Sequence, residues 1–222
     1  MHLPTSLTDI SAQWLTELLA ENEPGLIVDS VAIVDVQHGA CTKVRLAART
    51  NRNDFPSSLM MKVGFEPHSP NMRSMHVNEY HAYADLLPTV RLNAPKCFGS
   101  ALDADGRALV VLEDLCLRDV KFLTLQEPIG FELAKRYLEG LAKFHARWWN
   151  EALLREKDYF VQYDDPAFFA LGFGAAAQIV EQLGTWFDAP DFTQELMPMV
   201  AKKLSALQAL YANRPFTLVH GD

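Results

Sequence analysis

Short apolar runs separated by polar turns fill the first half of the chain. Between residues 26 and 46, β-branched residues are frequent on both sides of a turn at 38–40, which predicts two strands. The apolar run at 59–63 predicts a third strand. Residues 96–112 predict two more, because Asp103-Ala104-Asp105-Gly106 is a typical hairpin turn. We therefore expect a sheet of five strands.

Apolar residues at helical spacing dominate the second half of the chain. The segments with this spacing, including two from the first half, are 11–20, 73–87, 129–149, 173–187 and 192–211. A short strand at 216–219 is predicted near the end. Strands first and helices afterwards indicate an α+β fold. We place an N-terminal lobe at 1–113 and a helical C-terminal lobe at 114–222.

Composition narrows the classes of partner. The 222 residues are 49% hydrophobic and 22% charged, as in ordinary globular domains. The net charge of -8 argues against nucleic acid, since phosphate backbones require clustered Lys and Arg. No apolar run reaches the roughly 20 residues of a membrane span, and no secretory signal is apparent. We expect a cytoplasmic protein that binds neither nucleic acid nor a membrane.

Metal and disulfide sites have little support from the sequence. Cys41, Cys97 and Cys116 are widely spaced and include no CxxC pair, so we predict no metal ligand and no disulfide framework. His76 and His81 lack the spacing of a helical metal motif and are predicted to lie at the surface.

Lys62 is the most informative charged residue of the predicted sheet. It interrupts the apolar run at 59–63, so its ammonium must reach water or an anionic partner. Glu79 lies in the next predicted helix, which could bring its carboxylate to Lys62 if the helix packs on the sheet. The alternatives are a solvent-facing lysine on an edge strand and an ordinary surface glutamate.

Two further segments are candidates for a binding site, each with a plain structural alternative. Gly39 lies in the first hairpin turn, where a missing Cβ lets backbone amides approach an anion and Thr42 could add a hydroxyl. The alternative is a simple turn. Residues 109–115 form an apolar strand that breaks into Glu113 and Asp114. The alternative there is a strand that ends in a solvated turn.

The run Thr217-Leu218-Val219-His220-Gly221-Asp222 delivers a His-Gly-Asp turn after an apolar stretch. With Gly39, Lys62, Glu79, residues 110–115 and the Leu-Ala-Lys-Phe-His-Ala helix at 141–146, it resembles the aminoglycoside phosphotransferase and choline kinase superfamily. The long interval between His145 and His220 is similar to the ecdysteroid-kinase-like branch. The resemblance implies a protein-kinase-like two-lobe fold, with an antiparallel five-stranded sheet and a helix in the N-terminal lobe and a mostly helical, incomplete C-terminal lobe.

The resemblance also implies an ATP-dependent kinase that transfers the γ-phosphate to a small-molecule hydroxyl. Asp222 would be the catalytic residue, which orients the hydroxyl and accepts its proton. The nucleotide-binding residues would be Gly39, Thr42, Lys62, Glu79, Leu112, Glu113 and Leu115. The Asn and Asp that hold Mg²⁺ in this superfamily would lie beyond Asp222, so we expect a truncated chain that is inactive as written.

Two alternatives remain open from the sequence. The first is a non-catalytic kinase-like module that binds a nucleotide or another small molecule. The second is an unrelated α+β protein in which the His-Gly-Asp run is a coincidence. His145 alone does not decide between them, because a lone helical histidine is usually a core or boundary residue.

Overall fold

The computed structural model describes residues 2–90, 92–123, 127–160, 203, 206 and 214–219. The described strands are β1 Val28–Gln37, β2 Thr42–Thr50, β3 Ser58–Val63, β4 Cys97–Leu102 and β5 Ala108–Glu113. The described helices are α1 Ala12–Leu19, α2 Arg73–His81, α3 Phe131–Arg147 and α4 Leu153–Glu156. The chain continues from α2 through a π-helical turn, Ala82–Leu86, and a 3₁₀ turn, Leu87–Thr89.

The five strands form one antiparallel sheet in the order β1-β2-β3-β5-β4. This confirms the predicted sheet and the α+β class. β3 and β5 are interior strands, and Lys62 on β3 lies opposite Lys43 on β2 and Val110 on β5. The sheet therefore holds Lys62 at a fixed position, away from either edge.

One face of the sheet forms the hydrophobic core with α1. Ser11 caps this helix, because its side chain accepts a hydrogen bond from the Trp14 amide at 3.1 Å. Side chains of β2, β3 and β5 alternate between the two faces, as strand geometry requires. The buried residues that meet on the core face include Trp14, Leu15, Leu18, Leu19, Val44, Leu46, Leu59, Met61, Val63, Phe98, Leu109 and Val111.

The opposite face of the sheet carries Lys62 and the helix α2. Because Met61 and Val63 belong to the core, the period of two places Lys62 on the other side. α2 packs against β5 on this side. No residue of α2 is fully buried, so the helix is held by half-buried contacts.

The chain divides into two compact units, residues 1–140 and 141–222. In the second unit, Asn150 adopts a φ of 52°, a left-handed conformation that Asn tolerates. The Phe216 amide donates to Asn150 Oδ1 at 3.0 Å, and the Asn150 amide donates to the Phe216 carbonyl at 2.8 Å. The strand predicted at 216–219 is wrong, because the backbone of Phe216 bonds to this loop residue and the segment is irregular.

The helix predicted at 173–187 lies outside the described residues. Of the helix predicted at 192–211, only residues 203 and 206 are described, and both are helical. Among the helices that the structure describes, none combines the length and the apolarity needed to cross a membrane.

α1 approaches the sheet closely at Gly99 on β4. A Cβ at this position would lie 3.1 Å from the Leu18 carbonyl oxygen and 3.1 Å from Leu18 Cγ. The Leu18 carbonyl can move away only if the backbone of α1 shifts. Gly99→Ala should therefore lower the free energy of unfolding by about 1 to 3 kcal/mol. Urea denaturation measures this, with Ser100→Ala on the same strand as the control. An unchanged Gly99→Ala midpoint would contradict the close approach.

Candidate functional site

Lys62 and Glu79 form an ion pair on the α2 side of the sheet. The Nζ of Lys62 donates to the Oε1 of Glu79, and the two side chains are 26% and 27% exposed. The helix that follows β3 along the chain thus brings a carboxylate to the lysine, as the sequence analysis anticipated for a helix packed on the sheet. In this partly desolvated position, the pair restricts the direction of the ammonium more than a fully exposed pair would.

A small cavity of about 10 Å³ adjoins this ion pair. Its lining consists of Lys62, His76, Glu79, Ala108, Leu109 and Val110. The apolar wall comes from β5, and the polar side comes from β3 and α2. The arrangement leaves a cation and a carboxylate next to a space of roughly one water molecule.

His76 is half-buried, which corrects the prediction that it lies at the surface. The ring packs against Gly64, and its Nε2 is buried without a hydrogen-bond partner among the described residues. Burial lowers the pKa of His76, and the charge of Lys62 acts in the same direction. The Ala40 carbonyl and Glu79 oppose this shift without reversing it. The ring is therefore neutral near pH 7.

The turn that contains Gly39 is tied to the segment after β3. His68 Nε2 lies 3.0 Å from the Gly39 carbonyl oxygen. Glu66 Oε1 accepts a hydrogen bond from Thr42 Oγ1 at 2.7 Å and lies 2.9 Å from His38 Nδ1. The hydrogen bond from Thr42 lowers the pKa of Glu66 most, and the contact with His38 lowers it further. The turn is thus positioned by side-chain contacts from outside its own hairpin.

Thr42 is almost fully buried, at 2% exposure, and its hydroxyl donates to Glu66. In this structure the hydroxyl fixes the start of β2 to the segment after β3. Glu66 and His68 were not identified from the sequence, because no motif connects them with the turn.

The segment after β5 is held by Asp114, whose side chain is 2% exposed. Its carboxylate accepts hydrogen bonds from Ser58 Oγ at 2.6 Å and from the Cys116 amide at 3.0 Å. Arg45 Nε lies 3.1 Å from the same carboxylate. Burial would raise the pKa of Asp114, but these hydrogen bonds and the charge of Arg45 lower it. The segment after β5 is therefore anchored to both β2, through Arg45, and β3, through Ser58.

The predicted nucleotide-binding residues Leu112, Glu113 and Leu115 lie directly around this anchor. Leu112 is buried in β5, and Leu115 begins a 3₁₀ turn, Leu115–Leu117. The Glu113 side chain accepts a hydrogen bond from Arg118 Nε at 2.6 Å, and its amide donates to the Lys96 carbonyl at 2.8 Å. A pocket of about 290 Å³ borders the segment. The pair Glu113 and Asp114 did not decide from sequence whether the strand ends in a solvated turn; in the structure Asp114 is buried.

The remaining predicted site residue, Asp222, lies outside the described residues. Within the ranges that the structure describes, no three His, Cys, Asp or Glu side chains are grouped to hold a metal ion. Cys41, Cys97 and Cys116 are free thiols.

Comparison with known proteins places the chain in a family. The model of the ecdysteroid kinase-like family matches residues 37–222. The chain belongs to the ecdysteroid kinase-like family. The match confirms the resemblance to this branch of the phosphotransferases, and the five-stranded sheet with α2 is consistent with the N-terminal lobe of a kinase-like fold. Searches of curated proteins and of solved structures found no match.

Membership of the ecdysteroid kinase-like family supports a kinase-like phosphotransferase in general terms. The match with the family model includes Gly39, Lys62, Glu79 and the 112–115 segment. Within this family frame, the half-buried ion pair, the tethered turn and the anchored segment after β5 are the parts of the candidate site that the structure describes.

His76 gives this ecdysteroid kinase-like chain a testable pH dependence. Because burial lowers the pKa of His76 in the folded protein below the ordinary histidine value of about 6.5, the unfolded chain binds a proton first as the pH falls. The contribution of His76 to stability is therefore complete above the pKa of the unfolded histidine. It is lost as the pH falls from that pKa towards the lower pKa of the folded protein. His76→Phe should reduce the difference between urea midpoints measured at about pH 7.5 and about pH 5.5.

The control for this measurement is His2→Gln, since His2 is exposed near the N-terminus. It should leave the pH difference at the wild-type value. If His76→Phe also leaves the difference unchanged, the ring is not held neutral by burial.

Proposed function

We propose that the chain carries the nucleotide site of an ATP-dependent small-molecule O-phosphotransferase, which transfers the γ-phosphate of ATP to a hydroxyl of its substrate. The observation that carries the proposal is the ion pair between Lys62 on β3 and Glu79 on α2, in a chain of the ecdysteroid kinase-like family. A lysine held by a helical glutamate is suited to bind the α- and β-phosphates of a nucleotide.

The donor chemistry around Lys62 fits a phosphate group. The ammonium is partly shielded from water, so its attraction for an anion is stronger than at an open surface. Glu79 restricts the lysine to one direction, which lowers the entropy lost when a phosphate binds. When bound, ATP supplies the phosphoryl group and Mg²⁺ neutralises charge on it.

The proposal gives each predicted residue a role. The backbone of the Gly39 turn approaches the phosphates, and Thr42 supports that turn through Glu66. The backbone around Leu112, Glu113 and Leu115 binds the edge of the adenine ring, with Asp114 as its anchor.

The remaining roles concern the second lobe. Residues 1–113 are proposed as the nucleotide-binding lobe and residues 114–222 as part of the helical lobe. Asp222 is proposed to orient the substrate hydroxyl and accept its proton. The acceptor is a small molecule with a hydroxyl group.

Lys62→Met tests the proposal directly. Loss of a charge-assisted contact to the phosphates should weaken ATP binding about tenfold or more. Isothermal titration calorimetry measures the affinity, in the presence and absence of Mg²⁺. Lys121→Met is the matched control, because it removes a lysine from an exposed ion pair with Glu127. Equal ATP affinities for Lys62→Met and the wild type would contradict the assignment of Lys62.

The same titration separates the two functions that the sequence left open. Affinity for ATP that increases with Mg²⁺, together with Mg²⁺-dependent ATP turnover by the protein as its gene encodes it, supports the phosphotransferase. Nucleotide binding that does not respond to Mg²⁺, without turnover on any hydroxyl substrate, supports a non-catalytic binding module.

A further inference from the structure

His76 and Glu79 lie on the same face of α2. They are three positions apart, so their side chains project in nearly the same direction. Both line the small cavity that Lys62 borders. A contact that holds His76 in place therefore also holds Glu79 in place.

The His76 ring fills the space between α2 and the end of β3. Gly64 follows Val63, the last residue of β3, and a Cβ built on Gly64 would lie 2.8 Å from His76 Cε1 and 2.9 Å from His76 Nδ1. Such distances are too short for real contacts, so the ring occupies the place where a side chain of residue 64 would lie. Gly64 is only two positions from Lys62.

α2 also packs on β5 and β4, and it continues into the Ala82–Leu86 turn, in which Leu86 is buried. None of its residues is fully buried, and the hydrophobic core lies on the opposite face of the sheet. A helix without a buried apolar residue is easily displaced when one of its half-buried contacts changes. The packing of His76 on Gly64 is thus one of the contacts that place the part of α2 that carries Glu79.

We propose that His76 is a positioning residue, which holds α2 at the distance from β3 at which Glu79 reaches Lys62, and that Gly64 provides the space for its ring. The consequence for phosphotransfer rests on the function proposed above. The positioning of Glu79 by His76 does not depend on that function, because the contact between Lys62 and Glu79 can be measured without a nucleotide.

The experiment measures how fast an amine-reactive ester labels Lys62, by peptide mass spectrometry of the folded protein at a constant pH. The ion pair with Glu79 holds the Lys62 amine against α2 and slows its reaction with the ester, and Glu79→Gln gives the rate without the pair. His76→Ala should raise the rate roughly threefold, towards that of Glu79→Gln, as loss of a weak, partly exposed ion pair implies. His76→Phe keeps a ring of similar shape and should retain the slow rate.

A double-mutant cycle tests the role of Gly64. Gly64→Ala should accelerate the labelling of Lys62 in the wild-type background, because its methyl group displaces the ring. In the His76→Ala background, the same substitution should have a smaller effect, since the ring is gone and only Ser69 Cβ, at 3.1 Å, remains close to the added methyl group. Additive effects of the two substitutions would overturn the proposed contact.

Two controls separate positioning from general stability. Met75→Ala changes the neighbouring, exposed residue of α2 and should leave the labelling rate unchanged. Leu15→Ala removes core volume on the other face of the sheet, so it should lower the melting temperature without changing the Lys62 rate. If His76→Ala behaves like Leu15→Ala, with lower stability and unchanged labelling, His76 is not a positioning residue.

The outcomes also distinguish this proposal from the proposed function. ATP that does not protect Lys62 from labelling in the wild type would contradict the nucleotide site, whatever the variants show. Wild-type protection together with a slow rate in His76→Ala would keep the nucleotide site and overturn the role of His76.

Discussion

The placement of one lysine on an interior strand constrains the architecture around the candidate site. Lys62 lies between Met61 and Val63, which both belong to the core, so strand geometry directs it to the opposite face. A charge in that position requires a partner, and α2 supplies Glu79. At 26% and 27% exposure, such a pair contributes at most about 1 kcal/mol to stability. Its main effect is therefore to orient the lysine, while the core beneath α1 stabilises the fold.

Carboxylates position the loops next to this face in the same manner. Asp114 joins the segment after β5 to β2 and β3 through Arg45 and Ser58. Glu66 joins the start of β2 to the segment after β3 through Thr42. Both groups have a lowered pKa, because the hydrogen bonds they accept favour the charged form. Each carboxylate thus links two segments that lie far apart in sequence.

Sequence patterns predicted the parts of the structure that depend on local periodicity. The five strands, α1, α2 and α3 follow from apolar spacing and turn residues, and the contact of Lys62 with Glu79 follows from the order of one strand and one helix. Glu66, His68 and His76 were missed because their roles depend on which loops the tertiary fold brings together. The strand at 216–219 was predicted from its apolar residues, but strand formation requires a partner strand. Phe216 bonds to Asn150 instead.

The half-buried packing of α2 has a thermodynamic consequence for the candidate site. Glu79 lies on a helix without a fully buried residue, whereas Lys62 lies on an interior strand of the sheet. A displacement of α2 therefore changes the partner of Lys62 without moving the lysine backbone. Any anion that binds Lys62 more tightly when α2 is docked must, by linkage, stabilise the docked helix by the same factor. The effect of the anion on the docking equilibrium of α2 and the effect of docking on the affinity of Lys62 for the anion thus measure the same coupling free energy.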